Sequence, residues 1–513
     1  MKATRDSKIR SADDAVAEIA DGSVVACGGF VGAAHPEALT AAIERRFLSG
    51  EKPRNLTLIY AAGQGDGSTR GLNHLAHEGL ISKVIGGHWA LAPAMGKLAL
   101  ENKIEAWNFP QGVICHLFRD IAAGKPGTLT HIGLGTFVDP EHGGGKINSR
   151  TTGDLVSRLE INGRPSLLYH SFPIDVGLIR ASAADCYGNL SMDSEVISGE
   201  VLAIAQAVRN SGGKVFAQVG EIVDQAFSPH RVEVPGILVD CIVPAEEKEQ
   251  DQTFATSLDK RFFSPLPDQS CNAAFPPQPD GPRKIIASRA AEELQPGDVA
   301  NLGIGMPEGI GPVAAGQGLL DEITLTVESG PIGGIPAGGL DFGASLHPEA
   351  IVDQPAQFDF YDGGGLDFAA LGAAQIDAKG NVNVSRFGDR LAGSGGFINI
   401  SQTAKRVVFC GTFTLGGLQV EAAAGKLSIL REGTVRKFLR DVEQITFSGP
   451  VAAETGRPVH YVTERAVFRL GREGLELIEI APGIDLESDI LSQMDFRPIM
   501  KNIRPMASNH FPE

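Results

Sequence analysis

Residues 15–29, AVAEIADGSVVACGG, and residues 290–305, AAEELQPGDVANLGIG, carry one pattern, in which Gly22 matches Gly297 and Gly28 matches Gly303 at one offset of 275. Further on, Asp185-Cys-Tyr-Gly188-Asn189-Leu190 returns as Asp377-Ala-Lys-Gly380-Asn381-Val382, now at an offset of 192. Lys214-Val215 opens an apolar run as Lys405-Arg406-Val407 does. Chance likeness between α/β units could produce any one of these matches, but three in the same order point to two diverged copies of one domain. The drop in offset from 275 to 192 puts about 83 extra residues into the first copy, between Gly28 and Asp185.

A chain of 513 residues is also longer than one hydrophobic core usually serves. Its 63 glycines keep no fixed period and gather between apolar runs, which suits an α/β protein with tight strand-to-helix loops. The runs Val24 to Ala26, Val215 to Ala217, Ile323 to Val327 and Val407 to Phe409 read as buried strands; Pro36 to Phe47 and Ala287 to Leu294 read as helices. From Ala245 to Lys284 the chain is first charged and then rich in proline, a stretch that reads as a linker without regular elements. The expected division is therefore an N-terminal domain over 1–245, a linker over 246–283 and a C-terminal domain over 284–513. The polar end, KNIRPMASNHFPE, reads as a surface tail.

Composition removes several classes of function. A net charge of −17 argues against nucleic acid, whose binding rests on Lys and Arg neutralising phosphates. No apolar stretch approaches the roughly 20 residues of a membrane span. The N-terminal MKATRDSKIRSADDAV has no apolar core of the secretory kind, so a cytoplasmic location is expected. Cys27, Cys115, Cys186, Cys241, Cys271 and Cys410 are scattered without metal-ligand spacing and read as reduced, mostly buried thiols. Histidines such as His35, His116, His131, His142 and His347 show no ligand spacing and read as surface or loop residues. Asp359, Asp362 and Asp367 flank Gly363-Gly364-Gly365 without the spacing of a calcium loop, which reads as a glycine-rich turn. No metal site and no resident cofactor are expected.

The chemistry gathers in the second copy. The strand Ile323 to Val327 delivers Glu328 into Ser329-Gly330-Pro331-Ile332-Gly333-Gly334, and a carboxylate at the carboxyl end of a buried strand stands where open α/β sheets bind ligands. Position alone leaves Glu328 equally open as a helix cap or an arginine partner. Gly303-Ile304-Gly305-Met306-Pro307 and Gly393-Ser394-Gly395-Gly396 offer backbone N–H groups to an anion or a developing oxyanion. A dinucleotide loop is excluded, because the third glycine expected after Gly303 and Gly305 falls on Glu308.

Thr326-Val327-Glu328-Ser329-Gly330 and the two glycine stretches, together with Pro110-Gln111-Gly112, Thr463-Glu464-Arg465-Ala466-Val467-Phe468 and Leu475-Glu476-Leu477-Ile478-Glu479, resemble the class I CoA-transferases along essentially the whole chain. The segments HIGLGTFVDPEHGGGKIN and TVESGPIGGIPAGGLDFGAS look most similar to the single-chain acetate or propionate branch. The resemblance implies two homologous α/β domains, each an open, mostly parallel sheet with flanking helices, fused in one chain. It implies that CoA passes from a short-chain acyl-CoA to a carboxylate acceptor by ping-pong exchange through a glutamyl-CoA thioester on Glu328. The Gln111 amide and the Gly396 N–H would then hold the oxyanion, and Gly395 and the loop Gly303, Ile304, Gly305, Met306 and Pro307 would line the CoA site. CoA is a substrate in this reading, and a homo-oligomer is implied. One segment departs from the 3-ketoacid relatives: Tyr60-Ala61-Ala62-Gly63 stands where they carry paired asparagines.

Three rivals remain open on the sequence: an acyl-CoA hydrolase on the same site, a succinyl-CoA:3-ketoacid type of transferase, and a non-enzymatic ligand binder.

Overall fold

A computed structural model describes residues 5–266, 275 and 277–512. In the first half, β1 (Val24–Cys27), β2 (Leu56–Tyr60), β3 (Ile81–Gly86) and β4 (Glu105–Asn108) are followed by β5 (Gly127–Thr130), β6 (Val156–Ile161) and β7 (Arg164–His170), and then by β8 (Val176–Ala184), β9 (Lys214–Ile222) and β10 (Cys241–Pro244). Seven of them line up in the order β10-β9-β8-β1-β2-β3-β4, every neighbour parallel. Strands buried on both faces must be apolar throughout, as Val25, Ala26 and Cys27 are. β5, β7 and β6 form a separate antiparallel sheet.

The second half contributes β11 (Val299–Leu302), β12 (Thr324–Thr326), β13 (Pro331–Ile332), β14 (Ala350–Ile351), β15 (Phe368–Gly372), β16 (Arg406–Cys410), β17 (Val459–Val462), β18 (Ala466–Gly471), β19 (Gly474–Ile480) and β20 (Ile499–Pro505). They form one sheet in the order β14-β13-β12-β11-β15-β16-β17-β18-β19-β20. Its centre, β12-β11-β15-β16-β17, is parallel and repeats the first half's β2-β1-β8-β9-β10. The offsets read from sequence reappear as strand positions: β1 and β11 start at Val24 and Val299, 275 apart, and β8 and β15 start at Val176 and Phe368, 192 apart. The extra residues of the first half carry β3, β4 and the small antiparallel sheet, together with α3 (Gln111–Ala122), which follows α1 (Glu37–Leu48) and α2 (Pro93–Leu100) along the chain.

That added helix joins the halves. α3 lies against α7 (Gln354–Asp362) and α8 (Phe397–Thr403), the intervening helices being α4 (Val201–Asn210), α5 (Pro282–Ala291) and α6 (Ile310–Gly316). The approach is close enough to require glycine, since a Cβ on Gly112 would stand 2.5 Å from both Phe358 Cδ1 and Asn399 Nδ2. Phe109, Val113 and Leu117 thereby share one apolar core with Phe358, Tyr361 and Phe397.

Several sequence expectations meet a different outcome. The stretch read as lacking regular elements holds short 3-10 turns at Glu247–Glu249 and Lys260–Phe262, the first closed by a reciprocal cap between Glu246 and Glu249. Its described part packs on both halves: Asp251 pairs with Arg70, Thr253 donates to Asp341, and Ser264 O accepts from His347. The C-terminal tail forms the edge strand β20, and Met506 and Phe511 beyond it are buried in the second half's core. The helix expected from Ala287 to Leu294 runs earlier, because Pro282 supplies its first turn after Gly281. His35 is fully buried and His116 nearly so, against the expectation of surface residues, while His131 and His142 are exposed and His347 is half-buried. His35 is satisfied there by Gln64 at 2.7 Å and Thr40 at 3.0 Å. Cys27, Cys115, Cys241 and Cys410 are buried free thiols, Cys186 is half-buried, and Cys271 lies outside the described residues. Among the described residues no helix is long and apolar enough to cross a membrane, and no group of three or more His, Cys, Asp or Glu is arranged to hold a metal ion.

Candidate active site

Glu328 stands two residues after the end of β12 at Thr326. The turn after it is tight: Gly330 has φ +131°, and a Cβ there would stand 2.1 Å from Val352 O, so only glycine closes it. Ser329 Oγ donates to Gly343 O at 2.5 Å and pins the loop. The Glu328 side chain is buried, with 8% of the residue exposed, and its Oε2 accepts from Asn301 Nδ2 at 3.2 Å. Asn301 can reach it because β11 and β12 are parallel neighbours with Asn301 opposite Thr326. Thr326 Oγ1 and Tyr361 OH lie 2.7 Å apart, and Gln357 Nε2 donates to Val327 O at 3.2 Å, so one face of α7 braces the strand end from below. Burial pushes the Glu328 carboxyl above the ordinary range, and the Asn301 amide pulls against that shift by bonding the charged form.

Gly396 sits at the N-cap of α8, where a Cβ would stand 3.4 Å from Glu328 Cγ. Its N–H finds no acceptor among the described residues. Gln111 opens α3 in the other half; it is buried, and its Nε2 has no hydrogen-bond partner. Its backbone N–H donates to Gly395 O at 3.0 Å, and a Cβ on Gly395 would lie 3.7 Å from Gln111 Oε1. The loop that carries Gly395 and Gly396 is tied to the first half along its length. Trp89 N donates to Ala392 O at 2.7 Å, Gly395 N to Gly87 O at 2.8 Å, and Ser394 N to Asn108 Oδ1 at 2.9 Å. His88, between Gly395 and Gly63, is a neutral imidazole, since burial pulls it down to about 4.

The structure thus brings Glu328, Gly395, Gly396 and Gln111 into one buried junction between the halves. The loop Gly303 to Pro307 leaves the same edge of the sheet from β11, next to the strand that delivers Glu328, but faces outward. Gly303 N donates to Ala370 O at 2.8 Å; Gly305 has φ +87° and open space around it; Ile304 is exposed; Met306 is half-buried and Pro307 buried. Asp359 and Asp362 both face His116, Asp359 pairing also with Arg119 and Asp362 accepting from Asn399, while Asp367 lies apart and pairs with Lys405.

Sequence reasoning passed over Asn301, Gln357, Tyr361 and Asn399. For Asn301 a signal existed, an amide inside the otherwise apolar strand Val-Ala-Asn-Leu. For the others there was none, because their contacts come from helices packed across the sheet. Chemically, a buried carboxylate with an uncommitted backbone N–H beside it and an uncommitted amide donor in the same junction is equipped for covalent acyl chemistry through a tetrahedral oxyanion.

Comparison with known proteins extends this reading. The family described as Coenzyme A transferase matches residues 9–245. The chain is 44% identical over 498 residues to the acetate CoA-transferase YdiF of Escherichia coli K12, covering 96% of this chain and 92% of that one. It is 45% identical over 515 residues to the caffeate CoA-transferase of Acetobacterium woodii, covering 99% and 98%. The crystal structure of the acyl-CoA transferase YdiF from E. coli O157:H7, a thioester complex with CoA, superposes with a TM-score of 0.91 at 42% identity, covering 98% of this chain and 96% of that one.

Proposed function

The chain belongs to the class I coenzyme A transferases, and on that premise we propose that it moves CoA from a short-chain acyl-CoA to a carboxylate acceptor through a glutamyl-CoA thioester on Glu328. The observation that carries this is the junction itself: a buried strand-end carboxylate against Gly396, with the Gln111 amide next to Gly395, and two donors that the protein leaves unused. In the forward half, a Glu328 carboxylate oxygen attacks the thioester carbonyl. The C–S bond breaks, CoA leaves as thiolate, and an acyl-glutamyl anhydride remains. The thiolate then attacks the Glu328 carbonyl carbon and expels the first carboxylate, which leaves CoA on Glu328. The acceptor carboxylate reverses these steps and departs as the new acyl-CoA.

Each attack collects negative charge on one carbonyl oxygen. Gln111 Nε2 and Gly396 N–H are the donors assigned to it, and losing one such donor costs about 3–4 kcal/mol in comparable sites. Burial serves the covalent route by keeping water from the anhydride. Gly303 to Pro307 and Gly395 are assigned to the CoA side, where the open backbone around Gly305 leaves room for a ligand. Relatives named for acetate and for caffeate support acyl groups of differing size, and acetate or propionate is the acceptor class we assign.

The test is incubation with acetyl-, propionyl- or caffeoyl-CoA without acceptor, followed by peptide mass analysis. The Glu328 peptide should gain the mass of CoA less water, and Glu328→Ala should lose both adduct and exchange. An adduct on another residue, or exchange that persists in Glu328→Ala, refutes the assignment. Release of free acid and CoA without exchange would instead identify a hydrolase.

A further inference from the structure

The two donors assigned to the oxyanion lie on different halves, so something must hold their helices in register. Asn399 stands at that seam on α8, one turn after Gly396, and its side chain is fully buried. Its Oδ1 accepts from Gly112 N at 3.2 Å, the residue next to Gln111. Its Nδ2 donates to both oxygens of Asp362 on α7, at 3.0 and 3.1 Å. We propose that Asn399, oriented by Asp362, is the positioning residue that sets the distance between the Gln111 amide and the Gly396 N–H.

Gly112 N–H is one of the first amides of α3, which have no partner within the helix, so it must find an acceptor outside. An asparagine amide can present its oxygen to Gly112 only if its nitrogen has an acceptor on the other side. Asp362 supplies that acceptor and fixes which way the amide faces. The titratable groups around Asp362 are His116 from α3, with Nδ1 at 3.7 Å, and Asp359 from its own helix, itself tied to His116 Nε2 at 3.2 Å and to Arg119. Burial raises the Asp362 carboxyl, and His116 and Asn399 oppose that shift. The chain Gly112–Asn399–Asp362–His116 thus runs from α3 through α8 and α7 and back to α3, clamping the Gln111 helix start to the Gly396 helix start.

This proposal rests on the function proposed above, and the experiment separates the two. Single-turnover formation of the CoA adduct is measured in the full-length protein. Asn399→Ala should slow it by about 10- to 100-fold, as for a displacement of up to 1 Å in a positioned reaction, while KM for acyl-CoA moves less than about threefold. Asn399→Asp faces a second carboxylate across about 3 Å, so its rate relative to wild type should rise as pH falls and one proton is shared. The exchange variant Asn399→Asp/Asp362→Asn keeps an acceptor for Gly112 and restores the opposed donor, and should recover most of the rate at all pH values. Each variant is melted alongside wild type, and should Asn399→Ala fail to fold, the comparison of Asn399→Asp with the exchange variant decides. A wild-type rate in Asn399→Ala, or a folded exchange variant no faster than Asn399→Asp, overturns the proposal. No adduct in the wild type overturns the function instead.

Discussion

Replacing Gly396 by alanine separates catalysis from stability in one substitution. Gly396 has φ −78° and ψ −5°, a conformation open to any residue, and alanine there narrows the unfolded ensemble. By that effect alone the variant would gain about 0.4–1 kcal/mol of stability, which the contacts of the added Cβ oppose. The added Cβ, however, meets Glu328 Cγ at 3.4 Å, Ile400 Cδ1 at 3.3 Å and Phe358 Cζ at 3.5 Å. Ile400 can turn its terminal methyl aside. Glu328 is held at its far end by Asn301, so it must take up the remaining crowding by moving a few tenths of an ångström. Since a displacement of about 1 Å can cost 100-fold, a shift of this size should slow adduct formation roughly 3- to 10-fold. Gly395→Ala is the control of opposite sign: with φ +51° it pays about 1–2 kcal/mol for left-handed backbone, yet its nearest neighbour, Gln111 Oε1, stays 3.7 Å away. Thermal melting and single-turnover mass analysis of both variants check this. If Gly396→Ala forms the adduct at the wild-type rate, the placement of Gly396 against Glu328 is refuted.

Asn301→Ala removes the amide that favours the charged form of Glu328, so the acid limb of the exchange rate should move to higher pH; an unmoved limb would mean that Asn301 does not tune the nucleophile. Glu200, 1% exposed, is pushed up to about 8 by burial. The folded protein therefore keeps this proton until about pH 8, whereas the unfolded chain releases it near 4.5, and stability falls as pH rises between the two. Glu200→Gln should abolish that loss, on the order of 3–5 kcal/mol, and melt above wild type at pH 9 but close to it at pH 4; parallel melting curves at both pH values would contradict the buried acid.

Much of the architecture was legible in order and spacing. The offsets of 275 and 192 are properties of the chain alone, and they reappear as strand starts because a duplicated domain keeps its glycines where its turns must be. Glu328 could be located for the same reason: a run rich in β-branched residues ending in a carboxylate and a glycine encodes both a strand and where it stops. Proline and charge, by contrast, misled for the segment after Ala245. Its turns are local, but its order comes from partners such as Arg70, Asp341 and His347, which lie far along the chain.

The sequence by itself determined a twofold α/β repeat, the surplus in its first copy and the identity of a strand-end carboxylate, since each is a pattern of local conformation and burial. Tertiary structure decided how the site is assembled. Gly112 and Asn399 are 287 residues apart, Asn301 and Tyr361 are 60 apart, and Gln111 meets Gly395 across the seam between the halves. Periodicity states which face of an element is covered, but not by what. The covering partner follows from how two sheets and the added helix α3 dock, and that depends on volumes such as the missing side chain of Gly112.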